Sequence, residues 1–245
     1  MEADEYLKMA AVEDRMWYYC ALHAHVRREL DRAGLGRGAT VLDAGCGTGG
    51  LIRRLAGERP EWKWTGVDLS RIACGIARQR AGATVEICEA SVERLPFGDG
   101  AFDAIVSADV LYHVDDDAGA LREFFRVLKP GGVVVLNLPA YRWLWSYHDE
   151  AVHSRRRYDR AEVLAKLSAA GFFAARATYW NALPFPLVVV RRKLLPAPRS
   201  GSDVRMYAAP VEAVFRGAMA VERGWLRAVG RLPFGSSVLA VARKV

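Results

Sequence analysis

Residues Val41–Leu51 read VLDAGCGTGGL, and this stretch decides the fold. Val41, Leu42 and Ala44 around Asp43 have the apolar character of a buried parallel strand nearing its end. Gly45, Gly47 and Gly49 follow at every second position, and Leu51, Ile52 and Leu55 then recur at helical spacing. Strand, glycine turn and helix in that order bring a backbone close to a ligand at a helix N-terminus. Without Cβ atoms the turn can be tight, and a bulky ligand can lie against it.

The spacing narrows the ligand. A dinucleotide fingerprint, G-x-G-x-x-G, places its third glycine one position later, which disfavours a nicotinamide dehydrogenase. A second apolar stretch, Lys63–Val67, ends in Asp68, 25 residues after Asp43. An acid at the end of a second strand can accept hydrogen bonds from a ribose diol. Asp68 is equally placed to cap a helix over 70–81, so both roles stay open.

The chain has 245 residues, 52% of them hydrophobic, enough for one large α/β domain. Residues 1–30 are too charged for a signal peptide, and no apolar run approaches the ~18 residues of a membrane span. The expected location is the cytoplasm. Cys20, Cys46, Cys74 and Cys88 are scattered without a C-x-x-C pair, so no metal site is expected. The net charge of +7 is uneven: residues 185–245 hold 11 of the 35 Lys/Arg and only 3 of the 28 Asp/Glu. Such a basic quarter suits an anionic substrate, a membrane surface or nucleic acid, or is a solvated face.

Apolar spacing predicts one helix over 3–33, ended by Gly34 and Gly36, so that residues 1–36 form an N-terminal cap. Trp17, Tyr18 and Tyr19 either pack in its core or line an acceptor pocket. Strands are expected at Thr84–Cys88, from Phe102, at Val133–Leu138, at Arg176–Trp180 and at Ser237–Ala242. Helices are expected at about 49–57, at Asp115–Lys129, at Ala161–Ala170 and at about 210–229.

Taken in order, Asp43-x-Gly45-x-Gly47-x-Gly49, Asp68, Leu95-Pro96-Phe97 before Phe102-Asp103, and Leu128-Lys129-Pro130-Gly131-Gly132 before an apolar strand resemble the motifs of the class I S-adenosylmethionine-dependent methyltransferases. The likeness covers about 40–140. It implies a Rossmann-like α/β fold: a seven-stranded, mostly parallel sheet in the order 3-2-1-4-5-7-6 with helices on both faces. It also implies S-adenosylmethionine as cofactor and S-adenosylhomocysteine as product. By the same resemblance Asp43, Gly45, Cys46 and Gly47 hold the amino-acid end, and Asp68 with Leu69 the ribose. Ser91 and the Val92 backbone meet the adenine, and Ala108 opens the loop facing the sulfonium. The family usually has Asp where this chain has Ser91, and a hydroxyl accepts the adenine hydrogen bond more weakly than a carboxylate.

Residues 139–159, PAYRWLWSYHDEAVHSRRRYD, are too long and aromatic for an ordinary connection and should roof the acceptor side. They resemble a bacterial subgroup with a W-L-W-S-x-H-D and R-R-Y loop. His148 is the candidate general base or positioning group, with His113 and His153 behind it, because imidazole titrates near neutrality. Tyr18, Trp145, Tyr147, Arg157 and Tyr158 are the candidate acceptor contacts. Residues 181–235 form an insertion before the last strand, with apolar Leu183–Val190 next to Arg191-Arg192-Lys193 and a Pro/Gly/Ser-rich link at 196–203. They suit an acceptor with an apolar part and an anionic part, a dimer interface, or a membrane surface met through 183–195.

The expected function is therefore transfer of a methyl group to an O, N or C nucleophile of a small, secondary-metabolite-like acceptor with anionic character. A lipid-linked or membrane-associated acceptor and a non-catalytic partner protein of the same fold stay open. Nucleic acid is disfavoured, because Asp109–Tyr112 reads DVLY where nucleic-acid enzymes of this kind carry N-P-P-Y.

Overall fold

The computed structural model describes residues 3–197 and 203–245. Its elements run α1 (Ala3–Val12), α2 (Trp17–Ala33), β1 (Thr40–Ala44), α3 (Gly50–Glu58), β2 (Lys63–Asp68), α4 (Arg71–Ala81), β3 (Glu86–Glu89) and β4 (Phe102–Ala108). They continue with α5 (Asp117–Val127), β5 (Leu128–Pro139), α6 (Tyr147–Ala151), α7 (Arg160–Ala169), β6 (Phe173–Trp180), α8 (Phe185–Val189), α9 (Ala209–Ala228) and β7 (Ser237–Arg243).

Seven strands form one sheet in the order β3-β2-β1-β4-β5-β7-β6, as expected. The first five strands pair in parallel, and β7 runs antiparallel between β5 and β6. Alternate residues serve opposite faces, as the period of two requires. Val41, Val106, Val133 and Val135 face the layer of α2, α3 and α9. Leu42, Ile105, Val134 and Leu136 face the layer of α5 and α7. The parallel strands therefore end together in Ala44, Asp68, Glu89, Ala108 and Pro139, and the loops leaving that edge form the site.

The N-terminal helix departs from expectation, since it is broken at residues 13–16 into α1 and α2. Met16 is extended (φ −62°, ψ 132°), and the first free N–H of α2, on Trp17, is accepted by Glu212 Oε2 at 2.9 Å. Glu13 turns inward to Thr48 and Arg80 instead of continuing the helix. A side chain 195 residues away thus caps α2, which a local apolar rhythm cannot reveal. The strand β6 starts at Phe173, three residues early, with an irregular register up to Arg176.

The insertion holds α8, a π-helical turn at Val190–Leu194, and α9 packed on α2. Glu222 of α9 accepts the backbone N–H groups of Asn181, Ala182 and Leu183, tying the exit of β6 to this helix. The link expected at 196–203 lies for the most part on 198–202, outside the described residues.

Candidate active site

One cavity of about 750 Å³ lies at the C-terminal edge of the sheet and reaches from the glycine turn to the roof. Gly45 (φ +90°) needs to be glycine, since a Cβ there would meet Val110 Cγ2 at 2.2 Å. The N–H groups of Gly45 and Cys46 both reach the Val67 carbonyl, at 2.7 and 2.8 Å, pinning the turn to β2.

Asp68 accepts one backbone N–H on each oxygen, from Gly47 on Oδ2 and from Ser70 on Oδ1, both at 2.9 Å. Each oxygen keeps a lone pair for a diol. The capping of α4 falls to Ser70, whose Oγ accepts from the Ala73 N–H at 3.3 Å. Burial raises the Asp68 carboxyl, opposed by those two N–H groups.

Asp43 is 2% exposed, lines the cavity, and has no hydrogen-bond partner among the described residues. Burial first, then the charges of Asp68 and Glu13, push its carboxyl up to about 8. A buried acid beside two others with no cation opposite is a receptor for a positive group. The amino-acid end of S-adenosylmethionine carries an ammonium, and the diol-ready Asp68 and the Cβ-free turn fit the rest of it. The cavity wall also includes Cys46, Leu69, Ser91, Val92 and Ala108. Ser91 Oγ accepts the Glu93 N–H at 3.1 Å.

Asp109, directly after β4, was not singled out by the sequence. It has φ +60°, unusual for a non-glycine residue, and lines the cavity. Tyr18 OH donates to its Oδ2 at 3.1 Å and Asn137 Nδ2 to its Oδ1 at 2.9 Å. Asn137 is oriented in turn by Trp180 Nε1, at 2.7 Å. Burial pushes the Asp109 carboxyl up to about 6, against those hydrogen bonds. The Tyr18 phenol, raised by burial and by Asp109, stays a donor. Asp109 directly follows the end of β4 and Asp68 closes β2, so the rule that found one acid could have found the other. Tyr6 and Met9 of α1 also reach the cavity and were likewise missed.

His113, His148 and His153 all line the cavity. His148 Nδ1 lies 3.1 Å from the Asp203 backbone N–H, which can only donate. Nδ1 is therefore the lone-pair nitrogen, and the neutral ring carries its proton on Nε2. Burial and Arg192 lower its pKa to about 4, so the ring is neutral near pH 7 and presents a donor. His113 Nδ1 lies 3.3 Å from the His153 carbonyl, and its Nε2 is buried without a partner.

Among the expected acceptor contacts, Tyr18 and Arg157 line the cavity, whereas Trp145, Tyr147 and Tyr158 do not. Tyr158 is 1% exposed and donates to Asp117 at 2.8 Å and to the Leu111 carbonyl, packing the core under the roof. Tyr147 OH donates to Asp203 at 2.6 Å, and Trp145 offers its carbonyl to Lys193. Arg157 is 2% exposed, with Nε on Asp149 and Nη1 on the Ala140 carbonyl, each at 2.7 Å. It fastens the roof to the end of β5 as well as facing the cavity.

Comparison with known proteins agrees with this geometry. Residues 42–136 match a family described as a methyltransferase domain. The ubiquinone/menaquinone biosynthesis C-methyltransferase UbiE of Klebsiella pneumoniae is 39% identical over 112 residues, 43% of this chain and 45% of that protein. UbiE of Escherichia coli matches to the same extent. The chain thus spans under half the length of these curated relatives. A chain from the complex of the Haloferax volcanii Trm112 methyltransferase activator with a methyltransferase superposes with a TM-score of 0.66, at 22% identity, over 98% of this chain and 93% of that one. Haemonchus contortus phosphoethanolamine N-methyltransferase 2, solved with S-adenosylhomocysteine, gives 0.58 at 20% identity over 88% and 51%. Sheet order and these superpositions show the fold of the class I methyltransferases, and residues 42–136 carry the match to a methyltransferase domain. Among the described residues no helix is long and apolar enough to cross a membrane.

Proposed function

We propose that the chain transfers a methyl group from S-adenosylmethionine to an oxygen, nitrogen or carbon nucleophile of a small-molecule acceptor. The observation that carries this reading is the single cavity shared by the glycine turn, Asp68 and the roof, with Asp109 on the loop that joins them. That loop packs Val110 against Gly45 and offers the Tyr112 carbonyl to the Arg155 N–H of the roof at 2.8 Å.

Asp43 and Gly45–Gly47 would hold the amino-acid end of the cofactor, Asp68 the ribose diol, and Ser91 with Val92 the adenine. When bound, the cofactor supplies a methyl group on a sulfonium, which carries the difficult chemistry. The chain's own residues do the rest. Trp17, Tyr18 and Tyr19 of α2 wall the cavity and keep water from the reacting atoms. Asp109, raised towards neutrality, takes the proton that the acceptor loses, and Tyr18 and Asn137 hold its carboxylate in place. His148 directs its Nε2–H as a neutral donor that positions the acceptor.

The likeness to UbiE favours carbon as the receiving atom, on a ring made nucleophilic by loss of a hydroxyl proton. That likeness lies in the cofactor half, so phenolic rings are the first acceptors to try rather than the only ones. The test is methyl transfer from labelled S-adenosylmethionine to phenol, amine and carboxylate panels, beside calorimetry with S-adenosylhomocysteine. Asp109→Asn is expected to lower turnover by ~10²–10⁴-fold and to change S-adenosylhomocysteine affinity less than about threefold. Undiminished turnover would remove Asp109 from the mechanism. Failure of the wild type to bind S-adenosylhomocysteine would remove the function itself.

A further inference from the structure

The two ends of the cavity are lined by groups of opposite kind, carboxyls at the sheet edge and guanidiniums at the roof. Among the described residues, Asp43, Asp68 and Asp109 at the sheet edge have no lysine or arginine in ion-pair contact. At the roof the wall contains Arg155, Arg157, Arg191, Arg192 and Arg205. Three of these have carboxylate partners: Arg155 with Asp115, Arg157 with Asp149 at 2.7 Å, and Arg192 with Asp203 at 3.1 Å. Arg191 and Arg205 have none among the described residues. Their positive charge is left over after every roof pairing is made.

Both guanidiniums lie over aromatic rings. The Arg191 guanidinium lies 4.8 Å from the Tyr147 ring centre and donates one N–H to the Pro196 carbonyl at 2.9 Å. The Arg205 guanidinium lies 5.4 Å from the Tyr207 ring centre. Stacking occupies the flat face of a guanidinium and leaves its in-plane N–H groups for a two-pronged acceptor such as phosphate or carboxylate. Arg191 stands on the π-helical turn at Val190–Leu194, a local rewinding that places Arg191 and Arg192 on the cavity together. Leu187 and Val188, one turn earlier in α8, line the same wall, and Trp17 stacked on Phe215 at 4.8 Å lines it from α2 and α9. A basic patch therefore adjoins an apolar one inside a single chamber.

We infer that Arg191 and Arg205 form an anion subsite that receives a phosphate or carboxylate on an amphiphilic acceptor, whose apolar portion lies against Leu187 and Val188. The inference deepens the function proposed above and rests on it for which end of the acceptor is methylated. With its anion at the roof, the acceptor's other end is directed to Asp109, and the acidic sheet edge repels the wrong orientation.

The test uses the whole chain saturated with S-adenosylhomocysteine, titrated with decyl phosphate below its micelle concentration and read by tryptophan fluorescence, since Trp17 lines the cavity. Decyl phosphate is expected to bind at least about tenfold more tightly than decyltrimethylammonium or inorganic phosphate. The double variant Arg191→Gln, Arg205→Gln is expected to lose at least about tenfold of that affinity while S-adenosylhomocysteine binding stays within about twofold. Equal binding of decyl phosphate by wild type and double variant would overturn the subsite, as would equal binding of the two decyl compounds. Binding to phosphatidylglycerol vesicles without binding of decyl phosphate would put the anion on a bilayer surface and would also overturn it. Loss of S-adenosylhomocysteine binding by the wild type would instead strike the parent reading.

Discussion

Gly45 and Arg157 both line one cavity and are held there by different means. Gly45 is positioned by backbone: a strand end, a positive φ, and N–H groups shared with β2. Arg157 is positioned by side chains: a buried ion pair with Asp149 and a hydrogen bond to Ala140. The half proposed to hold the cofactor is thus specified by what cannot be present, namely a Cβ, and the roof by pairs of groups that must both be present. A backbone-built half tolerates many side-chain exchanges and almost no added atom at its turn. A roof built from pairs tolerates the loss of a whole pair far better than the loss of one member.

The largest effect is expected from a single methyl group on the first side. In Gly45→Ala the new Cβ must displace Val110 and the loop carrying Asp109. S-adenosylhomocysteine affinity should fall by at least about 100-fold while far-ultraviolet circular dichroism stays that of the wild type. Calorimetry on the two proteins decides it. Affinity within about threefold of wild type would mean that the turn is not the cofactor cradle.

The same contrast explains how much was legible beforehand. The half around the glycine turn is written in short-range signals: apolar runs along β1 and β5, three glycines, and an acid at a strand end. The motifs built from these signals carry the family resemblance, and the sheet order came with that resemblance. Asp109 carries the same signal as Asp68, an acid at the carboxyl end of a strand, but it shares its loop with His113, whose near-neutral titration makes the histidine the more prominent candidate in the sequence. The break at 13–16 was not legible, because the group that caps α2 is Glu212, which sequence spacing cannot connect to Trp17. In the roof, aromatic residues announced apolar area but not its direction. Tyr158 turned inward to Asp117, and Tyr147 stands behind the wall, bonded to the lining Asp203. Arg157 lines the cavity as expected, but its buried partner eight residues earlier was not legible in the charge run.

An intermediate effect is expected from breaking that roof pair. Arg157→Met keeps most of the volume and leaves Asp149 buried without its cation. Removing one partner of such a pair costs about 3–5 kcal/mol, felt mainly in the roof. Limited proteolysis should cut within 139–159 much faster than in the wild type, while S-adenosylhomocysteine affinity stays within about threefold. Adding Asp149→Leu should recover part of the resistance. The recovery should be incomplete, because Asp149 also accepts the Ser146 N–H in the capping box of α6. If Arg157→Met resists protease as the wild type does, the ion pair does not hold the roof.

An effect graded by pH is expected from Asp43, where backbone-built and pair-built halves differ in another way: this acid's side chain is buried with no partner of its own. Its carboxyl is pushed up to about 8 in the folded chain, against about 3.9 for an unfolded aspartate. The folded state therefore holds this proton more tightly. The stabilising contribution is full below about pH 4 and is lost as pH rises towards 8, levelling off above it. Asp43→Asn has no such proton to lose. The melting temperature of the variant should rise relative to the wild type between pH 5 and pH 8, with little further change at pH 9. Taking the difference between the two proteins cancels Asp68, Asp109 and Glu13 to the extent that they titrate alike in both. A cation placed against Asp43 favours the ionised form, so wild-type affinity for S-adenosylhomocysteine should increase over the same pH window and that of the variant should not. Parallel melting curves with parallel affinities would show that Asp43 is a structural acid, and the ammonium of the cofactor would have to be held elsewhere.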